Sequence, residues 1–309
     1  MTFAGFMELA LYHPELGYYR RDAARVGYGS GTDFYTASTS GAVFGELVAA
    51  ACVALLGGPG AAAGHAFVEI GAEPGGGVLA GVSHPFATAG TVRLGEPLEL
   101  TGRLVVFSNE LFDAQPLRRF VRRGDAWREL GVELRGGDGD GEGGSLREVE
   151  LPPVMEPWLP ADAPEGYVFD APRAAAELAA AIATQPWTGL FVAFDYGKSL
   201  AELATATAIG TARAYFKHTQ SNDLLARPGE QDLTGHVCWD WLAAALTDGG
   251  FDRPEVESQE AFFIHHAGEF LAKAMAAEAG RLSQRKLSLM QLLHPSHLGQ
   301  KFQVLHARR

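Results

Sequence analysis

Positive charge is in short supply: 25 Lys and Arg stand against 37 Asp and Glu, for a formal net charge of −12. A protein that grips a phosphate backbone needs a basic footprint. The balance therefore argues against nucleic acid as a partner and is compatible with an acidic cleft for a cationic substrate. Cysteine is scarcer still. Cys52 and Cys238 are the only two; both lie in apolar, helical-looking stretches and read as buried thiols of a reducing compartment, not as a bridge or a metal site. No apolar run reaches membrane length, because the longest, 42–56, carries Glu46 and reads as a core-facing helix. The amino terminus MTFAGFMELALYHPELGYY lacks a basic n-region and a small-residue cleavage site, so the cytoplasm is the expected compartment. Neither a Gly-x-Ser-x-Gly elbow nor a phosphate loop with Lys and Ser or Thr is present. His218 and His236 lack a zinc-like spacing, and no metal is expected.

Glycine, by contrast, is plentiful at 38 residues, and one cluster of it organises the chain. Residues 66–77 read AFVEIGAEPGGG. An apolar run carrying an acid and closing in glycines has the character of the first strand and turn of a nucleotide-binding α/β sheet, where glycine lets backbone approach a ligand. The simplest Gly-x-Gly-x-Gly loop would have glycine at position 73, where this chain has Glu73 followed by Pro74.

With 309 residues the chain can bury a large core. The pattern predicts one α/β domain over 1–309 with a helical amino-terminal extension, 1–64, containing helices at 3–12 and 40–56. Strands are expected at 65–70 and 104–107, and only residues 78–104 separate the glycine turn from the second of these. A full crossover needs about 30 residues, so the sheet is expected to be shortened there, at least one helix and strand having been lost, with a short strand-like segment at 91–94. Alternating segments at 118–123, 127–134 and 146–151 predict a β-rich insertion of about 115–165, tipped by GGDGDGEGG at 136–144. Helices at 171–184, 199–206 and 237–248, helical spacing at 267–293, and strands at 189–194, 210–216, 251–256 and 301–307 complete the chain.

Three strand ends gather the candidate chemistry. Glu69 can accept hydrogen bonds from the loop amides or from a bound amino group. Asn109 and Glu110 close the 104–107 strand, with Asp113 one helical turn further on. Polar groups at this carboxyl edge are where open α/β sheets bind ligands, and a carboxylate there can hold a cationic amine or guanidinium in line for attack. Asp195-Tyr196-Gly197 repeats the pattern at a third strand end, although that tripeptide alone reads as an ordinary turn. Arg213, Tyr215 and His218, then QDLTGH at 231–236, form the densest polar run of the second half. A helix cap at Asp232 or Thr234 explains part of it.

In the same order along nearly the whole chain, FMELALYHPELGYY, DFYTAS, FGE, FVEIGA, SNELFDAQP, WREL, DYG, GTARAYFKH, PGEQDLTGHV and LGQKFQVL resemble the MidA-like family of S-adenosylmethionine-dependent methyltransferases. That family includes a mitochondrial assembly factor that methylates an arginine of a respiratory complex I subunit. The resemblance implies a class I, Rossmann-like methyltransferase sheet, S-adenosylmethionine as cofactor and a protein substrate, with arginine as the acceptor and a respiratory complex subunit as partner. It implies that Glu69, Gly71, Glu73, Gly75 and Asp195 surround the cofactor. It implies that Asn109, Glu110 and Asp113 face the transferred methyl and the substrate, and that Arg213, Tyr215, His218, Asp232 and His236 line the rest of the cleft. Where the family pattern has glycine, Glu73 sets a carboxylate near the cofactor's own, so cofactor affinity is expected to be weak and to improve in Glu73→Gly. The other reading is a non-catalytic relative that kept the fold and serves as a binding or assembly protein. Nothing in the sequence fixes the oligomeric state.

Overall fold

The computed structural model describes residues 1–21, 41–73, 76–136, 144–280 and 283–309. The chain divides into two compact units, Tyr35–Leu111 with Leu178–Gly197 and Leu242–Arg309, and Met1–Phe34 with Phe112–Glu177 and Lys198–Trp241. Gly75, the DFYTAS run and most of the GGDGDGEGG tip lie outside the described residues.

The first of these units holds six strands: β1 (Ala66–Ile70), β2 (Thr88–Val92), β3 (Gly102–Asn109), β4 (Trp187–Asp195), β5 (Asp252–Ser258) and β6 (Gln303–Arg308). They form one sheet in the order β5-β6-β4-β3-β1-β2. β2, β1, β3 and β4 run parallel, and β6 is antiparallel to both β4 and β5. The central strands β3 and β4 are nearly continuous apolar runs and are buried from Leu104 to Ser108 and from Gly189 to Asp195, as parallel strands covered on both faces must be. This is the α/β class that the sequence predicted.

Helix α1 (Ala42–Leu55) and helix α2 (Gln259–Ala277) cover the sheet together with α3 (Gln284–Leu293). Phe44 of α1 meets Phe107, Phe194 and Phe263 with ring centroids 5.5 to 6.5 Å apart, close enough for edge-to-face and tilted packing to add to the burial. Gly45, on the same helix, is placed for another reason: a Cβ there would lie 2.0 Å from the Val78 carbonyl oxygen. Only a residue without one lets α1 sit directly on the loop that follows β1.

The stretch after that loop corrects the sequence reading. The expected shortening of the sheet is observed, but the short strand expected at 91–94 has other bounds. Instead β2 spans Thr88–Val92 and pairs in parallel along the whole of β1, from Ala66↔Thr88 to Ile70↔Val92. What is missing is the crossover helix, since residues 78–81 form only a turn, and among the described residues the sheet ends at β2. Pairing β2 with β1 satisfies that side of β1.

The other unit is built on antiparallel strands. Ser145–Val154, Ala126–Arg135, Arg118–Arg123 and Val168–Ala171 form one sheet in that order, and Thr219–Ser221, Arg213–Phe216 and Asp232–Thr234 form another. The helix Phe3–Tyr12 is capped by the Thr2 hydroxyl, which accepts from the Gly5 amide at 3.2 Å. It buries Phe3, Phe6, Met7 and Leu11 in a core with Leu117, Val132 and Leu233. A second core joins Phe120, Trp127 and Phe169, with Trp158 packed against it.

Candidate functional site

Register decides which side chains meet at the sheet edge. Ile70 pairs with Ser108, and Ser108 pairs with Ala193. The residues that follow, Gly71, Asn109 with Glu110, and Asp195, therefore leave three adjacent parallel strands at the same carboxyl edge, the place where such sheets bind ligands.

At the first strand end, the Glu69 carboxylate accepts a hydrogen bond from the Val78 amide at 2.5 Å. Of the two roles expected for Glu69, the loop-amide contact is therefore present. Burial nonetheless dominates and pushes this carboxyl up to about 7, with the Val78 bond pulling in the opposite direction. Gly77 makes the arrangement possible, because a Cβ there would lie 2.5 Å from Glu69 Oε2 and 2.7 Å from Thr91 Cγ2. Gly71 adopts φ +78°, and a Cβ on it would come 2.8 Å from Leu111 Cδ1, so both conformation and space select glycine. Ala72 is buried and Glu73 half-buried. Immediately after β2, the exposed Glu96 carboxylate accepts from the Arg93 amide at 2.7 Å.

At the second strand end, Asn109 Nδ2 donates to Glu110 Oε1 at 3.0 Å. Glu110 sits at φ +52°, a left-handed conformation that is uncommon for a residue with a Cβ, while its amide still donates to the Phe194 carbonyl at 2.9 Å. Backbone held this way clusters at functional sites. Asn109 Oδ1 and the neighbouring Ser108 Oγ are buried with no hydrogen-bond partner among the described residues. Orphaned buried polar atoms of this kind are expensive unless something fills the position.

At the third, Asp195 is buried, and its Oδ1 accepts from the Tyr196 amide at 2.8 Å. The Gly197 amide donates to Gln303 Oε1 at 3.0 Å, and the Tyr196 ring lies 4.0 Å from that of Phe302. This tripeptide is a fixed turn as well as a strand end.

The remaining predicted residues belong to the other unit: Asp113, Arg213, Tyr215, His218, Asp232 and His236. Two of them join a cluster that the sequence reading missed. The Tyr19 hydroxyl donates to Asp232 Oδ1 at 3.0 Å, the Tyr12 hydroxyl donates to the Ala114 carbonyl at 2.8 Å, and the two rings stack at 5.5 Å. Asp113 and Asp232 are both buried. Burial first, then these carboxylates, hold both phenols well above their usual range. The paired acids come from positions far apart in the chain.

The others divide by environment. Tyr215 pairs in register with Asp232, and its hydroxyl donates to Gln220 Oε1 at 3.0 Å. His218 is exposed and shares with Lys217 a two-residue hairpin turn in which both have positive φ, as a primed turn requires. Arg213 donates to the carbonyls of Gly210 and Ala212 at 3.3 and 2.6 Å. The His236 amide donates to Thr211 Oγ1 at 3.2 Å. Burial, then Lys198 and Arg213, push the His236 imidazole down to about 4, so it is neutral at physiological pH. Part of the polar density of GTARAY is structural: the amides of Thr211 and Ala212 donate to the buried Asp170 carboxylate at 2.5 and 2.8 Å.

Known proteins share this fold. The family described as "Putative S-adenosyl-L-methionine-dependent methyltransferase" matches residues 91–255, just over half of the chain. A Danio rerio protein, protein arginine methyltransferase NDUFAF7, mitochondrial, is 26% identical over a match spanning 80% of this chain and 69% of that protein. Two crystal structures of Burkholderia thailandensis proteins, one bound to S-adenosyl-homocysteine and one native, superpose with TM-scores of 0.83 and 0.80. Each is 24% identical, covering 100% of this chain and 88% or 87% of the other, and that likeness extends to the fold.

Proposed function

The chain belongs to the family of S-adenosyl-L-methionine-dependent methyltransferases, and from that premise we propose that its methyl acceptor is an arginine side chain of a protein substrate. The observation that carries this is Glu110, a carboxylate presented at the carboxyl edge of the sheet from a left-handed backbone and hydrogen-bonded by Asn109. A carboxylate so placed suits a planar cation with several N–H donors. The arginine methyltransferase of Danio rerio at 26% identity supports the same acceptor.

The residues at the edge fit the cofactor. The partnerless Asn109 Oδ1 and Ser108 Oγ offer hydrogen-bonding capacity toward a ligand. Glu69 would accept from the cofactor's amino group, and Glu96, in the turn after β2, offers a carboxylate for ribose hydroxyls. Asp195 and Glu73 complete the set of residues assigned to the cofactor. When bound, S-adenosylmethionine supplies a methyl group already activated by a sulfonium. What the protein then contributes is chiefly positioning. Glu110 orients one guanidinium nitrogen and takes up the proton that this nitrogen loses on methylation. Asp113 and Asp232, with Tyr12 and Tyr19, form the acidic cluster that we assign to the substrate side, along with Arg213, Tyr215, His218 and His236. Two free, buried cysteines support a reducing compartment, and we place the protein in the cytoplasm.

Incubation with methyl-labelled cofactor and arginine-rich proteins, followed by acid hydrolysis, tests the acceptor. Label is expected in methylarginine; label in methyllysine or in a small molecule would overturn the arginine assignment.

A further inference from the structure

On the edge strand β5, three histidines converge on one carboxylate. Glu257, on β5, meets His265 Nδ1 through its Oε2. Its Oε1 is bonded to both His266 Nε2 at 2.8 Å and His306 Nε2 at 3.1 Å. His265 and His266 lie on α2 and His306 on β6, where it pairs in register with Glu255. The rings of His266 and His306 are 5.1 Å apart. The potential ligand atoms of Glu257, His265 and His266 lie within 4.8 Å of one another, as do those of Glu255, Glu257 and His306.

The backbone accommodates this convergence. Consecutive residues on a regular helix do not face the same point, yet His265 and His266 both reach Glu257. Ala267, immediately after them, leaves helical geometry at φ −122° and ψ 18°. A departure of that kind inside a helix calls for a local cause.

We propose that Glu257, His265 and His266 form a zinc site that ties β5 to α2, with His306 of β6 bonded to the ligating carboxylate from behind. Two imidazole nitrogens and one carboxylate, with a fourth position open to water, are a donor set for zinc or another imidazole-favouring transition ion, not for magnesium or calcium, which prefer oxygen. Ligand atoms around a tetrahedral ion with bonds of about 2.0–2.1 Å stand about 3.3 Å apart. Glu257 Oε1 and His266 Nε2, 2.8 Å apart, are close to that edge, so a small outward relaxation admits the ion beside them. Solvent reaches the group through His265, whose side chain is 60% exposed, while His306 is 8% exposed. The site is therefore both accessible and anchored. It is composed of residues that take no part in the methyl transfer proposed above.

The experiment is a zinc titration of the full, untagged, metal-stripped chain in competition with a chromophoric chelator, with thermal midpoints recorded alongside. One zinc per chain is expected, with a dissociation constant at or below about 1 μM and a raised thermal midpoint. His266→Ala should weaken binding about 100-fold or more, and His306→Ala, which removes a hydrogen-bond partner of the ligating carboxylate, about tenfold or more. His265→Ala, at the exposed ligand, keeps the test valid if the buried variants fail to fold, and should weaken binding about tenfold or more. His294→Ala, outside the cluster, should change nothing. Absence of stoichiometric zinc binding by the folded wild-type chain, or unchanged affinity in His265→Ala and His266→Ala, would overturn the proposal.

Discussion

The Val78 amide donates to Glu69 Oε2 across 2.5 Å, and the loop between them closes only because Gly77 has no side chain. Strand end and returning loop are thereby fixed to each other, and α1 lies on the same loop through Gly45. Gly77→Ala should cost about 1–3 kcal/mol of stability by forced displacement of the carboxylate. The effect is steric, because Gly77 is not among the glycines with positive φ. Gly90→Ala, where a Cβ meets nothing within 4 Å, is the control and should be near neutral. Urea unfolding of both variants measures the difference.

Glu69 also sets a pH dependence. Its folded carboxyl titrates at about 7 against an ordinary value of 4.5, because burial disfavours the charged form. Below pH 4.5 both folded and unfolded chains hold the proton, and the group has no effect. As pH rises toward 7 the unfolded chain releases its proton first, so stability falls, by up to about 3 kcal/mol once both states are ionised. Glu69→Gln should therefore gain stability relative to wild type as pH rises from 5 to 8, measured by denaturant midpoints across that range. A constant difference would mean that Glu69 does not titrate in the window.

At Glu110 the expected effect is on catalysis and not on folding. Glu110→Gln keeps the size of the side chain while removing the charge that holds the guanidinium and the base that takes its proton. Methyl transfer should fall at least about 100-fold in kcat/KM, equivalent to about 2.7 kcal/mol, with the thermal midpoint nearly unchanged. Retained activity would exclude Glu110 as the substrate clamp.

These residues differ in how visible they were in the sequence. β3 and β4 were legible as apolar runs because burial on both faces leaves no alternation to misread. The polar groups at their ends, Asn109, Glu110 and Asp195, followed from that. β2 was displaced by about three residues and undercounted, because it is a short edge strand, largely exposed, with no apolar pattern of its own. Its identity comes from pairing with β1, which is a tertiary fact. The left-handed backbone of Glu110 has no signature in residue type. The Tyr12, Tyr19, Asp113 and Asp232 cluster was hidden for a different reason: its members are brought together only by folding, across more than 200 positions between Tyr19 and Asp232. Around Glu257, His265 and His266 are close in sequence and only His306 is remote, while the histidines that drew notice in the sequence, His218 and His236, occupy an exposed hairpin turn and a partly buried position beside Thr211.

Calorimetric titration with S-adenosylmethionine tests the central claim, that the loop from Gly71 to Val78 receives the cofactor. Wild type should show weak but saturable binding at one site. Glu73→Gly should bind about tenfold more tightly if, as proposed, Glu73 sets a carboxylate near the cofactor's own. No saturable binding by either folded protein would contradict the account.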